Sequence, residues 1–91
     1  MNLEDLRKEI DGIDQEMVQL FLRRMEIVKG VAQYKIDNQL PVFHKDREQV
    51  VIDKAMSRSP EEMKEYVREF FEETMKVSRH MQEDLIKESK K

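Results

Sequence analysis

LEDLRKEIDGIDQEMVQLFLRRMEIVKGVAQYKI, residues 3–36, is the stretch whose pattern decides the fold. No proline interrupts it, and Leu3, Leu6, Ile10, Ile13, Met17, Leu20, Val28 and Val31 form an apolar seam at helical spacing. Asn2 stands where a helix N-cap belongs. The run Asp37-Asn38-Gln39-Leu40-Pro41-Val42 breaks the pattern, with Pro41 as a strong stop. A helix over Leu3 to Ile36, about 34 residues, is roughly 50 Å long at 1.5 Å per residue.

Outward from that stretch, the sequence predicts a second helix of about fourteen residues from near His44 to around Ser57. A third opens at Ser59-Pro60-Glu61-Glu62, read as a capping box with proline in the first helical position. It runs to the late eighties, where Lys87 to Lys91 suit a helix C-terminus. Its seam is Met63, Val67, Phe70, Met75, Met81 and Leu85. The fold class is therefore all-α, long, short, long, in one domain spanning residues 1–91.

Composition agrees. Two glycines and two prolines in 91 residues leave few turns, which favours long helices over many strands. Charged residues make up 41% and apolar residues 38%, so the core is lean. The net charge of −3 comes from interspersed acids and bases, which argues against a nucleic-acid or anionic-membrane binder. No apolar run approaches a membrane span and the N-terminus has no basic-then-apolar signal pattern. The chain contains no cysteine, which fits a reducing cytoplasm. Seven methionines read as plastic core filler, Tyr34 and Tyr66 as packing residues, and His80 as surface.

The helix lengths carry a second expectation. A short second helix cannot cover a 50 Å seam, and a monomer would leave more apolar surface in water than soluble monomers tolerate. A homodimer with paired long helices covers the seam and makes two equivalent sites. Gly12 and Gly30 share a line on the first helix away from the seam, and suit either close helix approach in that dimer or tolerated surface glycine.

Polar residues interrupt both seams. Arg24 and Lys35 fall inside the first, eleven residues apart and so within roughly 20° of each other around the helix. Ser78 and Gln82 fall inside the second. A charge facing a core is costly without a partner, and no acid in the first seam is placed to cancel both cations, so an anion is the natural partner. Arg7 at the seam edge, and Arg47 and Glu48 on one face with Val51 and Ile52, complete the set. Four cations, a carboxylate, an amide and a hydroxyl suit a small dicarboxylate, since guanidinium forks carboxylates and a carboxylate accepts from a hydroxyl. There is no nucleophile with an adjacent base, no metal-ligand spacing and no glycine-rich phosphate loop, so neither metal nor cofactor is expected. Taken singly, each residue has a bland reading: Arg7 snorkels, Arg24 and Lys35 join interhelical ion pairs, Ser78 and Gln82 are satisfied core polars, and Glu48 pairs with a neighbouring base.

Taken together they resemble the all-α chorismate mutases. The resemblance runs from Leu6-Arg7-Lys8-Glu9-Ile10-Asp11-Gly12-Ile13-Asp14 through Arg23-Arg24, Lys35, Pro41-Val42 and Asp46-Arg47-Glu48 to Ser78 and Gln82. It implies a three-helix protomer intertwined into a six-helix homodimer that converts chorismate to prephenate in phenylalanine and tyrosine biosynthesis. It also implies roles. Arg7 reaches into the partner's site and Arg24 stays in its own, both on substrate carboxylates; Lys35 and Gln82 flank the ether oxygen; Arg47 and Ser78 support carboxylate binding; Glu48 accepts from the ring hydroxyl. His44 departs from the pattern, standing where bacterial members often carry an acid that helps hold that hydroxyl. Weaker hydroxyl recognition is the expected consequence, with a backbone contact surviving.

The implied reaction is a Claisen rearrangement without proton transfer, open to catalysis by holding a near-attack geometry and by stabilising charge on the ether oxygen. The alternatives are an isochorismate-pyruvate lyase on the same fold and a non-catalytic helical dimer that senses chorismate or prephenate. No further catalytic or effector domain is expected on this chain, so any partner enzyme would associate non-covalently.

Overall fold

A computed structural model describes residues 2–91. Helix α1 spans Leu3–Asp37, α2 spans Lys45–Ser57, a single 3-10 turn covers Glu61–Met63, and α3 continues over Lys64–Ser89. No strand occurs among the described residues, and no helix is long and apolar enough to cross a membrane.

The start of α1 follows its sequence signal: the Asn2 side chain accepts from the Asp5 N–H at 2.9 Å. Its end does not depend on proline. The Gln39 N–H donates to the Ile36 carbonyl and the Leu40 N–H to the Lys35 carbonyl, with Gln39 at φ 54°. This is the paired closure that commonly ends helices on a left-handed glycine, here built on a glutamine. The chain has already turned before Pro41.

The capping box at Ser59 is a correction. The Ser59 hydroxyl donates back to the Ala55 carbonyl at 2.9 Å, and its N–H bonds the Met56 carbonyl. The three-residue connection leaves Ser59 within reach of the open carbonyls ending α2, so it closes that helix instead of opening α3. Pro60 is extended (φ −65°, ψ 154°) and precedes the 3-10 turn, which closes by Met63 N–H to Pro60 carbonyl.

Helix α3 packs against both other helices. From α1 it meets the C-terminal half, where Val28 and Ala32 are buried. Val31, expected in the seam, is exposed, and Ala32 takes its place on the face that Arg24, Val28 and Lys35 share. Ile52 and Ala55 of α2 and Met75, Ser78 and Gln82 of α3 are the other buried residues. Tyr34 and Tyr66, expected to pack, are more than 60% exposed. His80 is on the surface as expected.

The protomer is drawn out. Its radius of gyration is 16.4 Å and its extents are 54 × 27 × 14 Å, against about 12 Å for the radius of a compact chain of this length. Every described residue of α1 before Arg24 is exposed, including Leu6, Ile10, Ile13 and Met17. An open apolar groove of about 550 Å³ runs between α1 and α3, lined by Met17, Phe21, Phe70, Phe71 and Val77 among others. A core of five buried apolar residues is small for three helices of this length.

Candidate functional site

The C-terminal turn of α1 fixes Lys35 twice. Its carbonyl accepts from Leu40, and its Nζ donates to the Val42 carbonyl at 2.6 Å, so the loop closure also aims the ammonium. Burial lowers the Lys35 pKa, and nearby Glu48 opposes that by favouring the charged form. Three turns earlier on the same face, Arg24 donates from Nη1 to the Ser78 hydroxyl at 2.6 Å. Burial, then repulsion from Arg47, disfavours the Arg24 charge. Arginine remains protonated nonetheless.

Ser78 meets Arg24 as an acceptor, because its one hydroxyl proton points to the Thr74 carbonyl at 2.9 Å. It therefore orients the guanidinium. Gln82, one turn on, is 6% exposed; its Oε1 is shielded and has no hydrogen-bond partner. A buried amide oxygen left this way costs roughly 1–3 kcal/mol, and as an acceptor it calls for a donor such as an ordered water.

Arg47 and Glu48 lie in the first turn of α2. His44 caps that turn, its Nδ1 accepting from the Arg47 N–H at 3.0 Å. The ring is thus occupied in holding the helix start, and its side chain is exposed. Glu48 is half-buried, and its partner is neither Arg47 nor a lysine: Arg79 Nη1 donates to Glu48 Oε1 at 2.7 Å. Arg79 was invisible to the sequence reading, since it sits beside Ser78 on the flank of the seam. Only the crossing of α2 over α3 brings it to Glu48.

Arg24, Lys35, Arg47, Glu48, Ser78 and Gln82 are thereby gathered along α3. Arg7 is not. It lies seventeen residues before Arg24 on a straight helix, about 25 Å away, and is exposed. Among the described residues, Arg24, Lys35 and Arg47 form no ion pair. Glu48 lies near enough to Lys35, and exposed Arg47 near enough to Arg24, for each to bear on the other's charge.

The family model described as chorismate mutase type II matches residues 6–83. The T-protein of Haemophilus influenzae is 46% identical over 46 residues, covering 50% of this chain and 12% of that protein. A bifunctional chorismate mutase/prephenate dehydratase of Aquifex aeolicus is 34% identical over 59 residues, 65% of this chain and 16% of that protein. One from Buchnera aphidicola is 36% identical over 53 residues, 58% and 14% respectively. The chain thus spans less than a fifth of the length of these curated relatives. No solved structure matches it.

Proposed function

The chain belongs to the chorismate mutase type II family, and from that premise we propose that it rearranges chorismate to prephenate. One C–O bond breaks as one C–C bond forms, and no proton moves. The observation that carries this reading is that Arg24, Lys35 and Arg47 are none of them paired with an acid among the described residues. Such a set of cations suits a dianion.

In this reading Arg24 and Arg47 hold the two carboxylates, with Ser78 steering Arg24. The clamps keep the flexible side chain of the substrate over its ring in a near-attack geometry. Lys35 and Gln82 stabilise charge growing on the ether oxygen, and Lys35, already aimed by the Val42 carbonyl, needs little reorganisation during reaction. Glu48 accepts from the ring hydroxyl. His44 contributes by holding the first turn of α2, and any contact to the hydroxyl is through its backbone.

A second copy completes the site. The exposed N-terminal half of α1 and the apolar groove support an intertwined homodimer, in which Arg7 reaches the partner's carboxylate pocket. The enzyme works as one unit over residues 1–91, in the cytoplasm.

The test supplies the purified protein with chorismate and with isochorismate separately and identifies products by NMR. Prephenate from chorismate supports the reading. Pyruvate from isochorismate alone assigns a lyase, and binding without turnover assigns a sensor; either result overturns it.

A further inference from the structure

Among the described residues four ion pairs join permanently charged side chains, and three are local, linking residues three or four apart on one helix. Arg79–Glu48 is the exception, tying α3 to α2 across 31 residues of sequence. Both side chains are largely shielded, at 28% and 18% exposure. Shielding of this kind makes a charged hydrogen bond far firmer than an exposed pair. The guanidinium is held from a second side, with its central carbon 5.0 Å from the Phe43 ring centroid.

The bond uses one oxygen of the carboxylate. Glu48 Oε1 accepts from Arg79, while Oε2 has no hydrogen bond among the described residues. Lys35 lies close enough for Glu48 to influence its charge. Without Arg79, that ammonium is the next cation available to Glu48. Pairing with it would withdraw both the hydroxyl acceptor and the charge assigned to the ether oxygen.

We propose that Arg79, steadied by Phe43, is a positioning residue that anchors Glu48 through Oε1, leaves Oε2 for the substrate's ring hydroxyl, and keeps the carboxylate off Lys35. This rests on the chorismate reading above. It adds a specificity element where His44 supplies no acid.

The experiment is a double-mutant cycle with Arg79→Met, Glu48→Gln and the double variant, measuring kcat and KM for chorismate and helicity by circular dichroism. Arg79→Met should lower kcat/KM by about ten- to hundredfold, with both kcat and KM affected. The double variant should match Glu48→Gln alone, because Arg79 acts through that carboxylate. Arg79→Lys should recover part of the loss. With chorismate lacking its ring hydroxyl, the hydroxyl-dependent part of the loss should disappear, so that KM for the parent and Arg79→Met converges. Additive losses in the cycle, or a change below twofold in Arg79→Met, would overturn the proposal. If Arg79→Met does not fold, Phe43→Leu serves instead, and its smaller loss must likewise vanish in the Glu48→Gln background. If the parent binds chorismate without turnover, the functional reading fails separately, and calorimetric affinities across the same proteins decide the coupling. Absence of any chorismate binding by the parent overturns both.

Discussion

Lys35 carries its charge into a partly desolvated place, and that choice has kinetic and pH consequences. A preorganised donor at a developing oxyanion is worth roughly 3–4 kcal/mol, or 10²–10³ in rate. Lys35→Ala should therefore lower kcat/KM by at least a hundredfold; a fall below tenfold would remove Lys35 from the ether oxygen. Burial lowers the lysine's pKa from the ordinary value near 10.4. The sign follows directly: the ammonium is disfavoured in the folded chain, so folding stability from this group rises as pH climbs through the lowered pKa. Activity moves the other way. The parent's rate should decline on the alkaline side before an ordinary lysine would titrate, and an activity profile flat to beyond pH 10.4 would contradict the role. Gln82 gives an acid-side counterpart. Glutamate at this buried position donates only when protonated, so Gln82→Glu should shift activity toward acid pH while the parent stays comparatively flat below its alkaline decline. An unchanged profile would take Gln82 away from the reacting oxygen.

Among the helices, the end of α1 is the element with most to reveal. The left-handed Gln39 costs about 1 kcal/mol relative to glycine, which carries no Cβ. Gln39→Gly should raise stability by up to that amount, offset partly by the greater freedom of glycine in the unfolded chain. Chemical denaturation measures it directly, and a clear loss of stability would mean that the turn depends on the glutamine side chain. The same turn orders the loop whose Val42 carbonyl holds Lys35, so the helix terminus and the site are one construction. At α2, His44 occupies the cap, and its ring is committed to structure before any ligand arrives.

The protomer's drawn-out form bears on everything else. With the N-terminal half of α1 exposed throughout and Ala32 and Met75 among few buried apolar residues, folding and association should be a single event. The melting temperature should then rise with protein concentration, and sedimentation should find a dimer. Ile13→Asp, far from the cluster on α3, should abolish both the dimer and activity by withdrawing Arg7 from its partner. A monomer of unchanged helicity and full activity at low concentration would exclude the two-chain site.

Much of this molecule was legible in its residues. Helix periodicity is local, so α1 and α2 fall within a residue or two of their expected bounds, whereas α3 begins at Lys64, after a 3-10 turn and four residues beyond Pro60. The positions of Arg24, Lys35, Ser78 and Gln82 inside apolar seams mark them in the sequence alone, because a polar group on a core-facing stripe demands a partner. What periodicity cannot contain is contact between helices. That Ser59 turns back to Ala55, that Ala32 displaces Val31 from the packed face, and that Arg79 spans from α3 to Glu48 all depend on crossing and connection geometry. The chain's own order sets which residues each helix presents; only packing in three dimensions selects which of them meet.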